Sequence, residues 1–124
     1  MGQDDVFDNM VQELRRGVIV LAVLSQLQTE QYGYSILKEL ADKDLDLDQG
    51  TLYPLLRRLE SQGLLESRWQ LEESRQRRYY VISAQGRDVL EKLQAEWKKI
   101  TSLMDRLLSN RAPQPDQEEE NGIN

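Results

Sequence analysis

The 124-residue chain contains no cysteine and no histidine. The first absence excludes disulfides and thiol nucleophiles, the second excludes imidazole acid–base chemistry, and together they exclude nearly all zinc and haem sites. A chain without cysteine fits a reducing compartment. No apolar run approaches the ~20 residues needed to span a bilayer. The opening Met1-Gly2-Gln3-Asp4-Asp5 is acidic and lacks the basic-then-apolar order of a secretory signal. These absences predict a cytoplasmic protein with no membrane partner, no cofactor, no metal site and no catalytic set, and therefore not an enzyme. Asp44, Asp46 and Asp48 lack the glycine and closing glutamate of a calcium loop and read as a solvated connector.

The chain also lacks overall positive charge: its formal net charge is -6. Distribution matters more than the sum. Acidic residues gather at Asp4, Asp5 and Asp8, from Asp42 to Asp48, and from Asp116 to Glu120. Between Arg57 and Arg78 stand six arginines (57, 58, 68, 75, 77 and 78) against four glutamates, Glu60, Glu66, Glu72 and Glu73. The hydrophobic fraction of 39% is modest for a chain this short, so association with a second copy is a natural way to bury more apolar surface.

Periodicity sets the element order. Met10, Leu14, Gly17, Leu21 and Leu24 step by three and four, which predicts a helix over 5–28. A second helix is predicted over 33–41, with Ile36, Leu37 and Leu40 on one side. The third has a leucine stripe, Leu52, Leu55, Leu56 and Leu59, with Asp48 as its N-cap and Gly63 as its stop. Pro54 fits an early position in that helix, where its missing N–H costs little. From Leu65 the period becomes two. Leu65, Ser67, Trp69 and Leu71 share one face, on which Trp69 is expected to meet the core. A polar turn, Glu72 to Gln76, leads into a second strand, Arg77 to Ile82, and Ser83 caps a last helix. In that helix Leu90, Leu93, Trp97, Ile100, Met104 and Leu107 form a sustained seam, expected to be a dimer interface. The Pro-, Gln- and Glu-rich stretch after Asn110 is expected to be disordered.

The fold class that follows is mainly α with a small β-hairpin: a winged helix-turn-helix plus a long C-terminal dimerisation helix. The expected divisions are a DNA-binding domain over 1–83, a dimerisation helix over 84–109 and an acidic tail over 110–124. A leucine-anchored helix that turns Thr, Tyr and Arg outward is built like a DNA-recognition helix.

These residues resemble the PadR family of bacterial transcriptional regulators. The likeness is carried by Tyr32-Gly33-Tyr34-Ser35-Ile36-Leu37-Lys38-Glu39-Leu40, by Gly50-Thr51-Leu52-Tyr53-Pro54-Leu55-Leu56-Arg57-Arg58-Leu59-Glu60 and by Gly63-Leu64-Leu65. Arg78-Tyr79-Tyr80-Val81-Ile82-Ser83, Gly86 and Trp97 extend it, so that it covers roughly 14–108. The resemblance implies a dimeric winged-helix repressor that binds a palindromic operator in double-stranded DNA and responds to a small aromatic or lipophilic effector. Two features depart from the family. The wing tip has no glycine and carries two carboxylates, and the chain as a whole is acidic.

Candidate DNA contacts are Thr51, Tyr53, Arg57 and Arg58 on the third helix, Gln49 before it, Tyr34 and Lys38 on the second, and Arg75 and Arg77 on the wing. Five of these have a plainer alternative. Tyr53 either meets base edges or packs where helix and wing join. Arg57 and Arg58 either reach phosphate or pair with Glu60 on a solvated face, and Arg75 and Arg77 either reach DNA or balance Glu72 and Glu73. Tyr32 is expected in the core. Trp97 either packs in the seam or, paired across a twofold axis, lines a site for a planar aromatic effector. A different class stays open: a winged-helix protein–protein adaptor without specific DNA binding, for which the acidic surface and the wing glutamates argue.

Overall fold

The computed structural model describes residues 2–109, and the expected acidic tail lies outside them. The element order is α1 (Gln3–Gln26), β1 (Gln31–Tyr32), α2 (Gly33–Asp42), α3 (Gln49–Ser61), β2 (Leu65–Glu72), β3 (Arg75–Ile82) and α4 (Ala84–Ser109). The predicted mainly α architecture with a β-hairpin is observed. The sheet carries one strand more than periodicity suggested. β1, only two residues long, pairs antiparallel with β3 through Gln31↔Tyr80 and Tyr32↔Tyr79, giving the order β1-β3-β2.

Local chemistry sets the boundaries. Asp48 accepts a 2.7 Å hydrogen bond from the Thr51 backbone N–H and caps α3 as expected. The α3 helix ends with Gly63 at φ +82°, whose N–H reaches the Glu60 carbonyl while Leu64 N–H reaches back to Leu59. α2 ends the same way on Asp44, at φ +68°. Ser83 caps α4, its Oγ accepting from Gly86 N–H at 2.9 Å and donating to the Gly63 carbonyl at 2.7 Å. Pro54 departs from expectation. It lies past the first turn of α3, so the Gly50 carbonyl loses its helical donor, and that residue is exposed to water instead. The hairpin turns on Glu73 and Ser74, both with positive φ, as a two-residue turn of the I′ kind does.

The first compact unit runs from Met1 to Leu93. Its core gathers Val23 and Leu24 of α1 with Leu27 just after it, Ile36 and Leu40 of α2, and all four stripe leucines of α3. Leu65, Tyr80, Ile82 and Leu90 complete it. The helical stripe of α1 divides. Its C-terminal part is buried, whereas Val6, Phe7, Met10 and Leu14 are exposed. The expected seam of α4 divides too. Leu90 is only 6% exposed and Leu93 packs against the same core, so neither is a free interface residue. The seam open to a partner begins at Trp97 in the second unit, where Ile100, Met104 and Leu107 are exposed together with Leu103 and Leu108.

Candidate nucleic-acid interface

The leucines of α3 face inward, which turns Thr51, Arg57 and Arg58 to solvent. Tyr53 is half-buried, and its ring lies so close to Gly33 that a Cβ there would collide with it. The glycine of the Tyr-Gly-Tyr element and the tyrosine of the Thr-Leu-Tyr-Pro element are therefore two halves of one contact, which fixes the start of α2 against α3.

Between α3 and the wing lies an open groove of about 660 Å³. Six of the candidate DNA contacts line it: Tyr34, Gln49, Tyr53, Arg57, Arg75 and Arg77. Lys38, Thr51 and Arg58 are exposed but lie outside it. Tyr32 does not belong to the core. It is half-buried at the groove, its ring 6.4 Å from that of Tyr34 and edge-on to Tyr79 at 5.4 Å.

The arginines separate by what they touch. Arg68 grips Glu30 through two hydrogen bonds, Nε to Oε2 at 2.7 Å and Nη2 to Oε1 at 2.6 Å. Arg78 donates to Glu60 at 2.9 Å and to Ser67 Oγ at 3.0 Å. Arg77 bonds Glu72 at 3.2 Å and sits 4.5 Å over the Tyr32 ring. Tyr79 also donates to Glu72. This bond holds the Tyr79 phenol above its ordinary pKa, so it stays a donor. Among the described residues, no carboxylate pairs with Arg57, Arg58, Arg75 or Lys38. Arg15 and Arg16 of α1 and Arg87, Lys98 and Arg106 of α4 also lack one among these residues, so what sets Arg57 and Arg75 apart is that they line the groove. Of the two wing-tip carboxylates, Glu72 is already engaged.

Trp69 corrects the parity argument. It is 61% exposed, and Leu71 beside it is exposed as well. Their face of β2 does continue that of buried Leu65, but the core beneath ends there and the rest of the strand overhangs. Trp69 lines the groove, with the Arg78 guanidinium 5.5 Å from its ring centroid. Neither residue was among the candidate contacts. The clue in the sequence was a tryptophan and an arginine at positions that the hairpin register sets opposite one another.

The Glu30–Arg68 pair ties β2 to the loop before β1. The hydrogen bonds from Arg68 hold the Glu30 carboxyl below its ordinary pKa. A carboxylate with a depressed folded-state pKa contributes stability above its unfolded pKa, and that contribution is lost as pH falls through the folded value. Both groups are largely solvated, so the effect is small. Glu30→Gln should melt slightly below the parent near neutral pH and together with it in acid. Thermal melts of the two proteins across that range check this, and a gap independent of pH would rule it out.

Residues 20–92 match the transcriptional regulator PadR-like family. The chain belongs to this family. The PadR family transcriptional regulator of Eggerthella lenta DSM 2243 is 47% identical in sequence. Its crystal structure superposes with a TM-score of 0.81, covering 85% of this chain and 94% of that one. A PadR family transcription regulator from hypervirulent Clostridium difficile R20291 is 32% identical with a TM-score of 0.67, covering 73% of this chain and 97% of the other. Transcriptional regulator Rv3488 of Mycobacterium tuberculosis is 35% identical over 81 residues, which is 64% of this chain and 76% of that protein. As a PadR-like protein the chain is a DNA-binding transcription regulator with the winged-helix fold of its family. No helix of its described residues is long and apolar enough to cross a membrane.

Proposed function

We propose that the chain is a homodimeric repressor that binds a palindromic operator, works in the cytoplasm, and is released by a small aromatic or lipophilic effector. The observation that carries the DNA side is that Arg57 and Arg75, which line the groove, and Arg58 beside Arg57 on α3 have no carboxylate partner among the described residues, whereas the arginines placed elsewhere on the hairpin do. In this reading α3 enters the major groove with Thr51 and Tyr53 at its leading end, and Gln49 lies beside them. Tyr34 and Lys38 reach phosphate from α2, and Arg75 does so from the wing. Arg77, bound to Glu72, contributes mainly by fixing the wing.

The dimer is supported by the exposed stripe Trp97, Ile100, Met104 and Leu107, spaced as a helix–helix seam. A twofold axis would set the recognition helices about 34–36 Å apart along the duplex, which calls for a palindrome. Trp97 in that stripe is the effector candidate, because two copies near the axis make a flat apolar site. Such an effector acts only by binding one dimer geometry better than the other. The adaptor alternative rests on the acidic surface and the wing glutamates, and of these Glu72 is engaged by Arg77 and Tyr79.

Arg57→Ala tests the reading. Fluorescence anisotropy against a duplex from the protein's own upstream region, at two salt concentrations, should show binding weakened by about tenfold and a salt slope smaller by about 1. Sedimentation should show the dimer intact. Unchanged affinity and slope would remove Arg57 from the interface.

A further inference from the structure

We propose that Trp69 is a DNA-contacting residue of the wing, an apolar contact that seats against the sugar edge of the backbone beside the recognition helix. The proposal rests on the DNA-binding reading above and adds to it a residue of a different chemical kind.

Three observations carry it. Trp69 is 61% exposed, and Leu71 on the same face is 62% exposed. This apolar strip therefore stands in water on a strand whose other end is buried. Trp69 also lines the groove that Tyr53 and Arg57 of α3 line. Finally, the indole is held in place. Arg78 lies between Trp69 and Tyr80, 5.5 and 5.6 Å from the two ring centroids, and its guanidinium is anchored on Glu60 and Ser67. Glu60 belongs to α3, so the indole is referenced to the recognition helix itself rather than to the wing tip.

Charge complementarity selects the occupant. An apolar ring beside Arg57 and Arg75, neither paired with a carboxylate among the described residues, suits a surface that alternates apolar and anionic groups. The duplex backbone is such a surface: deoxyribose meets the indole while the flanking phosphates meet the arginines. Arg78 is a positioning residue here, its charge already matched by Glu60.

The chemistry gives a test that cations do not share. A contact to phosphate releases counterions and steepens the dependence of log affinity on log salt by ~0.9 per phosphate, whereas an apolar contact leaves the slope alone. The probe is a duplex selected from a random-sequence library on the wild-type chain. W69A should bind it about tenfold more weakly at both low and high salt with an unchanged slope, while R75A should lower the slope by about 1. A second readout leaves the side chain in place. In protein labelled with 5-fluorotryptophan, the ¹⁹F resonance of Trp69, assigned with W69F, should move and lose solvent exposure on adding the duplex. This result stands even if W69A folds poorly. Wild-type affinity in W69A, or an unmoved Trp69 resonance, overturns the contact. Weakened binding with an unmoved resonance does so too, since it leaves only an indirect role. If the wild-type chain enriches no duplex, the DNA-binding reading fails and takes this inference with it.

Discussion

Gly86→Ala should lower the unfolding free energy by about 3 kcal/mol, the upper end for overpacking a close contact. Helix propensity alone argues the other way, since alanine is favoured over glycine by ~1 kcal/mol inside a helix. The clash decides the sign. A Cβ on Gly86 would run into the Leu64 carbonyl oxygen and crowd Ile82. The obstacle is backbone, and it is already fixed: the same carbonyl accepts the Ser83 N–H at 3.0 Å. Next to it, Ser83 caps α4 and bonds the Gly63 carbonyl. Neither partner can withdraw without breaking the junction of α3, the hairpin and α4. A domain stable by roughly 5–15 kcal/mol loses a substantial share of that margin. Denaturant unfolding followed by circular dichroism measures the loss. A raised midpoint would mean that the start of α4 shifts freely away from Leu64.

Gly33→Ala should cost less, about 1–2 kcal/mol, and should also weaken DNA binding. Here the obstacle is the ring of Tyr53, a side chain that is half-buried and able to swing. Moving it disturbs the leading end of α3, which is why binding suffers along with stability. The sign of the effect depends on that ring. In a Tyr53→Ala background the three closest contacts of the added methyl are gone, and the glycine-to-alanine change should become neutral or stabilising by ~0.5–1 kcal/mol. A double-mutant cycle on Gly33 and Tyr53 measures this reversal. The same penalty in both backgrounds would show that the tyrosine is not what requires glycine at this position.

How far these effects could be read from the sequence differs from residue to residue. Asp48, Gly63 and Ser83 mark their helix ends through bonds to residues a few positions away, so their roles were visible in the chain itself. The leucine stripe of α3 likewise followed from its period, and all four leucines are buried. The need for glycine at 33 and 86 was not legible. The Tyr53 ring and the Leu64 carbonyl that forbid a side chain there come from other elements. β1 escaped notice for a simpler reason: two residues are too short to show a period.

The candidate site divides along the same line. Amino-acid type and spacing placed Thr51, Arg57 and Arg58 on the solvent face of α3, and the structure agrees. They did not reveal which arginines were already spoken for, because Glu30 and Arg68, or Glu60 and Arg78, meet only after the hairpin folds back. Trp69 and Leu90 make the point in opposite directions. Parity put Trp69 on the inward face, where no core lies beneath it, and the heptad pattern put Leu90 on an interface, where the chain's own core already covers it. By itself the sequence determined the order of elements, their caps and the side to which each residue points, because these depend on near neighbours along the chain. Only the tertiary structure decided what stands opposite each side, whether core, counter-ion or open groove, because burial and charge pairing are set by distances between residues far apart in sequence.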